Sequence, residues 1–61
     1  MSTLQSMRDA MAALEIDDAK FVAGNSSAGT RARKHLGDLA KLAKARRNEI
    51  TLEKHARQEA K

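Results

Sequence analysis

Residues Gly24–Ile50 read GNSSAGTRARKHLGDLAKLAKARRNEI. The stretch begins as a turn and becomes a helix. Gly24 stops whatever helix precedes it, because glycine adopts positive φ without steric cost, and Asn25 tolerates that region better than most residues. Asn25, Ser26 or Ser27 then supplies a side-chain oxygen to cap a second helix, with Asn25 or Ser26 favoured. A connection of only a few residues between two helices brings them back antiparallel. The expected fold is therefore all-α: an antiparallel two-helix hairpin, coiled-coil-like, that dimerises into a helical bundle.

The flanking sequence supports two helices. The chain has no proline, and Ala, Leu, Glu, Lys, Arg, Gln and Met, all good helix formers, dominate it. Ser2 or Thr3 is placed to cap the first helix. Leu4, Met7, Met11, Leu14 and Phe21 recur at spacings of three and four, with Asp18 in the one remaining seam position. In the second helix Ala32, Leu36, Leu39, Ala43 and Ile50 share a face, Arg46 fills its gap and Leu42 widens it. These residues predict a core of Leu4, Met7, Met11, Leu14, Phe21, Leu36, Leu39, Leu42, Ala43 and Ile50 between the helices. Ala32 and Ala43 allow close approach, Gly29 sits beside the packing face, and Gly37 points outward. The boundaries read as helix 1 over about 3–23, turn about 24–26 and helix 2 about 27–57, in one helical domain spanning residues 1–61. Beyond Ile50 the apolar pattern stops, so the end of the second helix either projects past the hairpin or frays.

Sixty-one residues bury little of their surface, and with no cysteine, tryptophan or tyrosine and one phenylalanine the core is aliphatic. Pairing of two chains is the natural remedy, hence a homodimer. No run is apolar enough to span a membrane, and the N-terminus lacks the pattern of a signal peptide. Both point to a cytoplasmic protein.

Charge is unevenly placed. Residues 1–30 carry two basic and four acidic side chains, net −2; residues 31–61 carry ten basic and four acidic, net +6. At 100° per residue Lys34, Lys41 and Lys44 lie on the side of the second helix away from the packing face, with Arg33 nearby and Arg31 and Arg47 on its flanks. Asp38 interrupts this surface at the i,i+4 spacing that pairs it with Lys34. Cations along the outside of a helix suit the phosphates of a polyanion, and arginine forks onto phosphate oxygens better than lysine does. The candidate phosphate-binding residues are Arg31, Arg33, Lys34, Lys41, Lys44, Arg46, Arg47, Lys54 and Arg57. Without a supported recognition helix or an aromatic stacking platform, the surface fits backbone contact rather than base reading. The competing reading is a solvated helix face.

Catalysis and cofactors have no visible basis. The Gly24–Gly29 segment lacks a nucleotide-binding fingerprint and a preceding strand. His35 and His55 are far apart on one helix and read as surface residues, so no metal or other cofactor is expected. Asp17 and Asp18 are adjacent and point differently. No catalytic residues are assigned, and a hairpin offers little concavity.

The segment Lys20–Ile50 resembles the bacterial histone H1-like proteins of the Hc1 type. The match is carried by Phe21, Gly24-Asn25, Ala28-Gly29-Thr30-Arg31, Arg33-Lys34, Leu36, Leu39, Leu42-Ala43 and Arg46 or Arg47. The resemblance implies an α-helical, non-enzymatic protein that binds double-stranded DNA with little sequence preference and helps organise the nucleoid. It assigns the matched cations Arg31, Arg33, Lys34, Arg46 and Arg47 to DNA. This sequence departs from the family at its C-terminus, which reads EKHARQEAK rather than a long Lys/Ala/Pro-rich tail, so weaker compaction is expected. Two other partners fit the surface: RNA, whose phosphates present the same charge, and another protein, if the hairpin is a small helical interaction module.

Overall fold

A computed structural model describes residues 2–59 as two α-helices, α1 (Thr3–Val22) and α2 (Ser26–Glu59), folded into an antiparallel hairpin. Ser2 caps α1: its hydroxyl oxygen accepts from the Gln5 amide at 3.1 Å. At the other end the Asn25 amide donates to the Lys20 carbonyl at 3.0 Å and the Gly24 amide to the Phe21 carbonyl at 2.9 Å. These are the paired bonds of a Schellman ending, and they require the residue at the Gly24 position to take positive φ, here +112°. Asn25 then caps α2 through Oδ1, which accepts from the Ala28 amide at 3.1 Å. One residue thus closes α1 and opens α2, which is why the chain reverses so tightly.

The described residues fit a rod with extents of 55 × 15 × 15 Å. At about 1.5 Å per residue α1 is roughly 30 Å long and α2 roughly 51 Å. Thr3 at the start of α1 donates its hydroxyl to Glu49 of α2. Residues 50–59 therefore run past the end of α1. The helix is continuous through Glu59, so the end of α2 projects as a helix.

The packing between the helices differs from the expected core. The most buried apolar residues are Ala28 (0% exposed) and Ala32 (6%), and the third buried residue is Asp17 (8%). Met7, Leu14, Leu39, Leu42 and Ala43 are half-buried. Leu4, Met11, Phe21, Leu36 and Ile50 were expected inside and are between 44% and 53% exposed. Asp18 was expected in the seam; it is exposed, and its neighbour Asp17 takes the inner position. The physical reason is helix phase. Thr3, Ser6, Ala10, Ala13 and Asp17 form the side of α1 turned to α2, so small and polar residues meet across the hairpin. The larger apolar side chains are rotated onto one flank, where Met7, Met11 and Leu39 line a shared shallow groove.

Two glycines carry opposite requirements. A Cβ on Gly29 would lie 2.6 Å from Cδ1 of Phe21, so the ring rests on the glycine and closes the turn end of the hairpin. A Cβ on Gly37 would meet open space. Gly37→Ala should therefore raise stability by up to about 1 kcal/mol through helix propensity. Gly24→Ala should lower it by about 1–2 kcal/mol through the left-handed backbone, and Asn25→Ala by about 1 kcal/mol through the lost cap. Thermal melts followed by circular dichroism will show the two opposite directions.

Candidate nucleic-acid interface

The nine candidate cations all lie on α2, but the hairpin divides them into two groups. Arg31 is held at the turn end. Its Nε donates to Asp17 Oδ1 at 3.1 Å, while His35 Nε2 sits 2.9 Å from Oδ2 of the same carboxylate. A carboxylate enclosed between two helices needs such partners, because an unpaired buried charge is strongly unfavourable. Arg46 is engaged at the other end, donating from Nη1 to Glu49 Oε1 at 3.1 Å beside the Thr3 contact. Arg57 pairs with Glu53 at 2.7 Å on the projecting part of α2, an exposed i,i+4 pair of the kind that contributes little to stability.

The other six form no ion pair among the described residues. Arg33, Lys34, Lys41, Lys44, Arg47 and Lys54 are all exposed. Arg33, Lys34, Lys41 and Lys44 follow the outer ridge of α2, on the side away from α1. Arg47 and Lys54 lie toward the apolar flank. Lys34 and Asp38 do not pair, so the expected intrahelical bridge is absent and Lys34 remains available. The outer ridge from Arg33 to Lys44 covers 11 steps of helix, roughly 17 Å at about 1.5 Å each.

Burial by itself would push the Asp17 carboxyl up. The hydrogen bonds and positive charge of Arg31 and His35 overrule it and hold Asp17 below its ordinary value of 3.8. The Thr3 hydroxyl and the Arg46 guanidinium likewise hold Glu49 below its ordinary 4.5. The sequence reading placed His35 on the surface; instead its side chain is only 24% exposed and serves as a partner of Asp17. A signal for this was present: Asp17, Arg31 and His35 occupy matching levels of the two helices of an antiparallel hairpin that turns at Gly24. No group of three or more His, Cys, Asp or Glu side chains able to hold a metal ion occurs among the described residues.

The family model for histone H1-like protein Hc1 matches residues 1–56. The chain belongs to this family. The match takes in α1, most of α2 and eight of the nine candidate cations, all but Arg57. No curated protein and no solved structure gives a significant match. The histone H1-like family is nucleoid-associated, and this member is built as a helical hairpin. Among the described residues no helix is long and apolar enough to cross a membrane.

The two depressed carboxylates make a stability prediction with a definite sign. A carboxyl whose folded value lies below its unfolded one stabilises the fold fully above the unfolded value and loses that effect as pH falls through the folded value. For Asp17 and Glu49 the loss begins near their ordinary values of 3.8 and 4.5 and continues below them. Thermal midpoints of the wild type should drop in that acid range. Asp17→Asn should be less stable than wild type at neutral pH, with a shallower acid decline; an unchanged acid limb would show that the carboxylate is not engaged.

Proposed function

We propose that this protein binds double-stranded DNA through phosphate contacts, with little sequence preference and without catalysis, and so contributes to nucleoid organisation. The observation that carries this reading is the row of exposed, unpaired cations on the back of α2 in a chain of the histone H1-like family. Such a row has positive charge on three turns of α2, interrupted at Asp38, and no device for reading base edges. The row from Arg33 to Lys44 is roughly 17 Å long, about half of one duplex turn of about 34–36 Å, so a helix lying against the duplex meets backbone phosphates where it crosses a groove rather than following either strand throughout.

Arg33, Lys34, Lys41 and Lys44 are the principal contacts in this proposal, with Arg47 and Lys54 at the side. Arg31 and Arg46 are primarily structural, because their guanidinium groups already serve Asp17 and Glu49. Arg57 adds charge only by giving up its exposed pair with Glu53. RNA offers the same phosphate charge, so duplex DNA and duplex RNA of equal length belong side by side in the assay. The exposed apolar flank favours a protein contact as well, which is compatible with DNA binding because it lies on a different side of the hairpin.

Counterion release sets the test. Each phosphate neutralised contributes about −0.9 to the slope of log K against log salt. Replacing Arg33, Lys34, Lys41 and Lys44 by alanine should flatten the slope by up to about 3–4 units and weaken binding to every sequence alike, with helicity retained. Arg31→Ala should instead lower the melting temperature, with a smaller effect on the salt slope. A folded ridge variant that binds as well as wild type at all salt concentrations would overturn the assignment.

A further inference from the structure

The last part of α2 stands alone. Thr3, at the start of α1, reaches Glu49, so residues 50–59 extend past the hairpin as a single helix. At about 1.5 Å per residue this tip is roughly 15 Å long. A single helix with its side chains is about 10–12 Å across, and the major groove of B-form DNA is about 12 Å wide. Two packed helices, with axes about 8–10 Å apart, are too wide to enter. Of the described chain, the tip is the part slim enough for that groove.

The tip has a polar face suited to base edges. Thr51, Lys54, His55 and Gln58 recur at spacings of three and four, are all exposed, and line one shallow depression along the helix. The Thr51 hydroxyl donates back to the Arg47 carbonyl at 3.0 Å. The side chains of Lys54, His55 and Gln58 make no hydrogen bond or ion pair among the described residues. Glu53 lies on the other side of the helix, where it pairs with Arg57. Leu52, 70% exposed, borders the polar face and has no packing partner to explain it. At about 100° per residue Arg33 and Lys44 fall on the same side of α2 as this face, with Arg47 at its edge. A duplex lying against the ridge therefore meets the tip as well.

We propose that the tip of α2 inserts into the major groove of B-form DNA and makes the protein prefer duplex DNA to duplex RNA. This inference rests on the DNA-binding reading. Lys44 and Arg47 then meet the phosphates that border the groove. His55 and Gln58 turn toward its floor, where a ring N–H and an amide N–H can donate to N7, an acceptor that both purines present there. A contact shared by both purines adds little sequence preference. Leu52 offers apolar contact to the thymine methyl, a group that uracil lacks. The A-form RNA duplex has a deep, narrow major groove that side chains cannot read, so the tip stays outside it and only phosphate contacts remain.

Dimethyl sulfate provides the test, because it methylates guanine N7 in the major groove and adenine N3 in the minor groove. A random-sequence DNA duplex saturated with the full chain should show guanine N7 protected and adenine N3 reactive. A His55→Ala, Gln58→Ala double variant keeps every Lys and Arg and places alanine, the best helix former, in an exposed helix. It should lose the N7 protection while keeping the helicity and salt slope of wild type. Its ratio of affinities for DNA and RNA duplexes of equal length should fall toward one, a change that a merely structural role would not produce. Protection of adenine N3 alone, no protection under bound wild-type protein, or a double variant with the wild-type footprint or the wild-type ratio would each overturn the proposal while leaving phosphate binding intact. Failure of the wild type to bind DNA at low salt would overturn both readings.

Discussion

The buried carboxylate of Asp17 is the constraint around which this hairpin is arranged. A charge set between two helices must be met by donors, and Arg31 and His35 meet it from one turn of α2. That requirement fixes how far each helix is rotated. It also places alanines, rather than leucines, at the closest approach, since Ala28 and Ala32 are the most buried apolar residues. With the seam given to small and polar groups, the larger apolar side chains have to lie on a flank. The exposed apolar face and the narrow hairpin thus have a common origin.

The same constraint sorts the basic residues. Arg31 and Arg46 are consumed near the two ends of the overlap between the helices, each by an acid that α1 or α2 brings there. What remains is a ridge of Arg33, Lys34, Lys41 and Lys44 facing away from α1. Local charge alone does not separate these groups, because Arg31 and Arg33 look alike in sequence. The distinction between the paired Arg31 and the unpaired Arg33 comes from the position of Asp17 across the hairpin.

Much of this was legible in the sequence. The cap of the first helix at Ser2 or Thr3, the glycine stop and the cap of the second at Asn25 or Ser26 each have a local cause, and the structure takes Ser2 and Asn25. The outward placement of Gly37 followed from helical phase, as did the outer ridge. The inner face was harder. Spacings of three and four reveal an apolar stripe but not the direction in which the partner lies, and a neighbouring helix position is rotated by about 100°. The stripe of Leu4, Met11 and Phe21 was therefore assigned to the seam when the seam runs through Thr3, Ala10 and Asp17. Asp18 was taken for the inner acid for the same reason. His35 looked like a surface residue because nothing within its own helix explains it; its partner is eighteen positions away.

Helix length has a further consequence. Because α2 outruns α1, residues 50–59 are supported by their own helix and by the exposed Arg57–Glu53 pair. Lys54 is carried there, beyond the end of α1 and toward the apolar flank. The most direct measurement of the central claim is a nuclear magnetic resonance titration of the labelled protein with a random-sequence duplex at low salt. The account predicts the largest changes at Arg33, Lys34, Lys41 and Lys44, with Asp17 and His35 little affected. Changes centred on the Asp17 cluster or the apolar flank, or no changes at all, would contradict it.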